Sequence, residues 1–120
     1  MALTKTPVCD FGKKAENFKL KSINNKVLTL NDIKGEKATL IMFICNHCPY
    51  VKAIIKDLAK DCNELRTDGI SSVAIMSNDT KNYPEDSFEK MIEFADNNNF
   101  DSTNYLFDET QEIAKKYGAV

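Results

Sequence analysis

Polar and apolar positions change rhythm several times along the chain. In "FKLKS", Phe18 and Leu20 fall on one side, with Lys19 and Lys21 on the other; "KVLTL" repeats this with Leu28 and Leu30. A period of two marks strands with one face on a core. Asn24 and Asn25, between the two runs, tolerate positive φ, so the segment predicts a β-hairpin. "NDIKG" predicts a short helical turn closed by Gly35. Residues 38–45, "ATLIMFIC", are continuously apolar, the pattern of a strand covered on both faces.

The rhythm then turns helical. Val51, Ile54, Ile55, Leu58, Cys62 and Leu65 share one face, while Lys52, Lys56, Asp57, Lys60 and Asp61 lie elsewhere. Gly69 ends this helix, and residues 70–77, "ISSVAIMS", predict another strand. "NDTKNYPED" reads as a loop. Phe88, Met91, Ile92 and Ala95 give a second amphipathic helix that ends in the polar "DNNN". "TNYLF" predicts a short strand. Asp108 followed by Gln111 has capping-box spacing for a last helix, with Ile113, Ala114 and Tyr117 inward and Gly118 at its end.

These elements define one α/β domain over residues 1–120, an N-terminal β-hairpin followed by βαβαβα. Strands alternating with helices imply parallel pairing. Functional groups in such sheets collect at the carboxyl ends of the strands. Cys45 falls at the carboxyl end of the 38–44 strand. The 78–86 loop leaves the same end of the next strand and is expected beside it.

Composition narrows the function classes. A chain of 120 residues with net charge −2 and a single arginine, Arg66, offers no basic field for nucleic acid. "MALTKTPVCDFGKK" has no apolar signal-peptide core, and no run approaches 18 apolar residues, so neither a leader nor a membrane partner is expected. A cytoplasmic location follows from that reading. In the cytoplasm a close cysteine pair points to catalysis or metal binding rather than to a structural staple.

That pair is Cys45-Asn46-His47-Cys48, followed by Pro49. Thiolates, not thiols, attack disulfides. Three features favour a thiolate at Cys45: a helix N-terminus with unpaired N–H groups, the sole imidazole at His47, and Pro49 suited to a first helical turn. Two intervening residues let Cys48 fold back onto Cys45. Cys45 is then the exposed attacking sulfur, and Cys48, one turn into the helix, the shielded resolving one. Asn46, His47 and Pro49 support them; His47 either tunes the thiolate or simply faces solvent. Asn78, Asp79, Tyr83, Pro84 and Glu85 are candidates for a substrate-facing loop. Cys62 reads as a buried inert thiol and Cys9 as a spare surface one.

These residues resemble the thioredoxin-like superfamily, in its redoxin branch of alkyl hydroperoxide reductase/thiol-specific antioxidant type. Gly12, Ala15, Phe18 and Leu20 carry the likeness, with "LTLNDIKGEKATLIMFICNHCPYVK", "SNDTKNYPEDS" and "YLFDETQEIAKKYGA". The resemblance implies a thiol–disulfide oxidoreductase with an antioxidant role and no cofactor. Its partners would be a protein or small-molecule disulfide and an unidentified electron donor. It also implies continuation past "YGA" into a cis-proline loop, a hairpin and a helix, whereas this chain ends at Val120. The expected fold is therefore incomplete at the C-terminus, with an open edge on the 38–44 strand through which two copies can pair. The upstream proline and the later arginine of peroxiredoxins are missing, so dithiol exchange is favoured over peroxidase chemistry. Two readings compete: copper or zinc held by Cys45, His47 and Cys48, and a non-catalytic fragment.

Overall fold

The computed structural model describes residues 5 and 8–119. The expectation about an N-terminal leader falls partly on residues 1–4, 6 and 7, which lie outside the described ones. The hairpin forms as its alternation predicts, from β1 (Lys19–Ser22) and β2 (Val27–Thr29), and Asn25 takes φ 65° at the turn. A single turn, α1 (Leu30–Ile33), follows, and Thr29 and Asp32 close its start reciprocally. Then come β3 (Ala38–Phe43), α2 (Pro49–Arg66), β4 (Ile70–Met76), α3 (Phe88–Asn97), β5 (Thr103–Phe107) and α4 (Glu112–Tyr117). The five strands lie in the order β2-β1-β5-β4-β3. The β3/β4 and β4/β5 pairs are parallel, while β1 runs antiparallel to both its neighbours.

Alternation along β4 builds two cores. Val73 and Ile75 pack with Phe18, Ile33, Leu106 and Ile113 on one face of the sheet. Ala74 and Met76 pack with Ile55, Met91, Phe94, Ala95 and Tyr105 on the other. All four β4 residues are inaccessible to solvent. The strand covered on both faces is thus β4, not 38–45 as predicted. β3 is the outermost strand, pairs only with β4 among the described residues, and leaves Leu40 37% exposed.

Three local expectations are corrected. Ile54 and Ile92 are exposed, because the buried rows run through Ile55, Ala59 and Cys62 on α2 and through Met91, Phe94 and Ala95 on α3. Adjacent helical residues point about 100° apart, so each isoleucine leaves the row its neighbour enters. Gln111, not Asp108, occupies the N-cap position of α4, in a left-handed conformation and with no side-chain cap bond; the buried Asp108 carboxylate nevertheless accepts from the first-turn Ala114 N at 3.0 Å, and from Ser77 Oγ at 2.8 Å.

Gly35 does not close α1 by positive φ either. It is needed because a Cβ there would stand 2.1 Å from the Ala38 carbonyl oxygen and 2.6 Å from the Ser71 nitrogen. Both are backbone atoms and cannot swing aside. Gly35→Ala is therefore expected to destabilise the protein by about 1–3 kcal/mol, read as a lower urea midpoint. An unchanged midpoint would show that the 34–38 connection relaxes freely.

Candidate functional site

The Ile44 N–H bonds to the Ile75 carbonyl at 3.1 Å, extending the β3/β4 ladder by one step. Cys45 therefore emerges just past the carboxyl end of the sheet, as predicted. α2 begins at Pro49, which needs no N–H partner there, and Cys48 is its N-cap. Cys48 thus lies at the helix entrance rather than one turn inside, and both cysteines are half-buried. The expected contrast between an exposed and a shielded sulfur is not found. Both line one cavity of about 390 Å³, shared with Phe43, Val51, Ser77 and Asn78.

The electrostatics at Cys45 run against the expected ease of thiolate formation. Burial and then the Asp86 carboxylate push its thiol above the ordinary range. Hydrogen bonds from the backbone N–H groups of Cys48 and His47 pull the other way but do not prevail. A sulfur withdrawn from water and facing an anion resists a second negative charge.

Behind the cysteines lies a buried polar network. Asn46 is 6% exposed and Asp86 0%. The Asn46 N–H donates to Asp86 Oδ1 at 2.7 Å, and its side-chain amide donates to the Glu85 carbonyl at 3.2 Å. Its Oδ1 accepts from the Tyr105 hydroxyl at 2.8 Å. Asn78 Nδ2 donates to Asp86 Oδ2 at 2.8 Å. Burial, with Asp86 and Cys45 adding to it, pushes the Tyr105 phenol strongly upward, so it stays a donor.

His47 stacks on Tyr83, with ring centroids 5.4 Å apart and planes 10° from parallel. Its solvent-shielded Nδ1 lies 2.6 Å from Asp86 Oδ2, an ion pair when the imidazole is protonated, although the contact lacks the alignment of a good hydrogen bond. The 78–86 loop thus sits beside the cysteines as expected. Asn78 and Tyr83 touch the network, and Pro84 opens a short 3-10 turn, Pro84–Asp86, that brings Asp86 inward. Asp79 turns to its own loop, accepting from Lys81 N at 2.9 Å and Asn82 Nδ2 at 2.6 Å.

Sequence reasoning missed Asp86 and Tyr105. The alternation in "TNYLF" puts Tyr105 inward, and a buried tyrosine hydroxyl needs a partner, which was the available signal. The expected metal-ligand set is also revised. The ligand atoms that converge, within 4.8 Å of one another, belong to Cys45, His47 and Asp86, whereas Cys48 at the helix entrance is outside the group.

The profile of the AhpC/TSA family matches residues 11–120. No curated protein matches. Among solved structures, an uncharacterized conserved protein from Geobacillus kaustophilus is 43% identical over 98% of this chain and 62% of that chain, with a TM-score of 0.91. A hypothetical protein from Sinorhizobium meliloti 1021 is 33% identical over 97% of this chain and 63% of that one, at 0.90. A secreted disulfide oxidoreductase from Mycobacterium tuberculosis, homologous to E. coli DsbE, is 16% identical over 83% of this chain and 66% of that chain, at 0.68, and shares the thioredoxin-like fold. The chain spans less than two thirds of the length of the first two relatives.

Proposed function

The chain belongs to the AhpC/TSA family, and from that premise we propose that it is a thiol–disulfide oxidoreductase cycling Cys45 and Cys48 between dithiol and disulfide. The observation that carries this reading is the shared cavity. Both cysteines line one space at the carboxyl end of β3, where a disulfide can approach.

In the oxidising half-cycle Cys45 loses its proton to solvent and attacks one sulfur of the incoming disulfide. A mixed disulfide forms and one thiolate leaves. Cys48, deprotonated in turn, attacks the Cys45 sulfur and expels the second thiolate. The chain gives up two electrons, and the substrate disulfide becomes two thiols. The N–H groups of His47 and Cys48 support the sulfur of Cys45 as negative charge passes through it.

Peroxidase chemistry is less well supported. Arg66 is the last residue of α2, an 18-residue helix, and so lies about 25 Å along the axis from its start. No arginine is available beside the thiols.

The test is equilibration in graded glutathione buffers, trapping with a maleimide and weighing the intact chain. Cys45 and Cys48 are expected to lose reactivity together at one potential, with the exposed Cys9 still labelled and the buried Cys62 unlabelled throughout. Independent titration, or glutathione adducts in place of an internal disulfide, overturns the proposal.

A further inference from the structure

The unusual feature of the site is a buried carboxylate that pairs with no lysine or arginine among the described residues. Asp86 is inaccessible to solvent, and its partners are the Asn46 N–H, the Asn78 amide and His47. A lone buried anion is costly unless compensated. The group nearest to compensating it is His47, whose shielded Nδ1 stands 2.6 Å away without the alignment of a good hydrogen bond. Two electron-pair donors this close repel unless positive charge is shared between them. Cys45 supplies a third donor to the same point, within 4.8 Å of both.

We propose that Cys45, His47 and Asp86 form a site for one zinc-class divalent cation in the reduced protein. Thiolate, imidazole and carboxylate together suit such an ion, and their two negative charges balance it. Binding exchanges the Cys45 thiol proton for the metal, and that proton goes to solvent. The supporting shell is already built. Asn46 and Asn78 hold the carboxylate by N–H donation, and Tyr83 fixes the imidazole plane by stacking. Nδ1 and Oδ2 need only spread by under about 1 Å to take bond lengths of about 2.0–2.2 Å to a common ion.

The site couples to redox state, and this part rests on the Cys45–Cys48 exchange reading. A disulfide oxidant takes two electrons from the Cys45 thiolate and the Cys48 thiol and becomes two thiols. Its two protons come from Cys48 and from solvent. Cys45 then has no thiolate to offer, and the ion leaves.

The test is titration of the reduced protein with Co²⁺ as a spectroscopic probe and Zn²⁺ in equilibrium dialysis. One ion per chain is expected, with a thiolate-to-cobalt charge-transfer band and the intense visible bands of tetrahedral cobalt. His47→Gln and Asp86→Asn are each expected to weaken Zn²⁺ binding at least tenfold. Cys48→Ser is expected to change it less than threefold. His47 is partly exposed, so His47→Gln remains informative if Asp86→Asn fails to fold. Absence of stoichiometric binding overturns the site. So does unaltered affinity in His47→Gln, which would mean that the two thiols hold an adventitious ion by themselves. Glutathione titration of metal-free protein reads the exchange chemistry separately, so the two ideas fail independently.

Discussion

Cys45→Ser is expected to abolish disulfide exchange, lowering the rate by on the order of 10³-fold or more, because it removes the attacking sulfur itself. Cys48→Ser is expected to stop the cycle later. Cys45 still attacks, but the mixed disulfide has no resolving thiol, so a covalent adduct accumulates. Mass mapping of the 45–48 segment after incubation with a disulfide substrate separates the two outcomes, whatever the exposed Cys9 takes up: no adduct there for Cys45→Ser, one for Cys48→Ser. Both cysteines are half-buried residues, so the assignment rests on their backbone settings instead. Cys45 is poised past the end of β3 with two N–H groups on its sulfur, while Cys48 is held as the N-cap of α2. An adduct on Cys48 in Cys45→Ser would reverse the two roles. The raised thiol of Cys45 also fixes the sign of the pH dependence. Its thiolate fraction, and with it the attack rate, should climb as pH rises through and beyond the ordinary thiol range.

The parts of this arrangement legible in sequence are those written in local periodicity. Alternation gave away β1 and β2, and a strand-length apolar run ending in Cys45 located the cysteines at a strand-to-helix switch. Burial on each face was harder, because Ala38–Phe43 and Ile70–Met76 have similar apolar content. Only the strand order makes one an edge and the other a fully covered strand. The direction of the Cys45 shift was misread for a related reason. A helix start beside a cysteine is visible in "CNHCPYVK", but the burial that raises the thiol is set by tertiary packing, and the carboxylate that adds to it arrives from Asp86, 41 positions later. Asn46 reads as a spacer between two cysteines until Tyr105 and Asp86 close on it from elsewhere in the chain.

That closure makes Tyr105 the side chain where fold and site are most tightly joined. Tyr105→Ala is expected to lower stability by about 3–5 kcal/mol, since it deletes a fully buried aromatic ring that packs with Phe94 and Phe100. Against a typical total of about 5–15 kcal/mol, such a loss brings the chain near unfolding. Tyr105→Phe isolates the hydroxyl. The ring stays, but the buried Oδ1 of Asn46 loses its donor, at a cost of about 1–3 kcal/mol. Urea denaturation should therefore rank the midpoints wild type, Tyr105→Phe, Tyr105→Ala, with similar slopes for the first two. The hydroxyl also restrains Asn46, one of the two residues between the thiols. Tyr105→Phe should then shift the Cys45–Cys48 potential while leaving the far-ultraviolet circular dichroism unchanged. A Tyr105→Phe protein with wild-type midpoint and potential would show that the backbone bond to Asp86 and the amide bond to Glu85 suffice to hold Asn46.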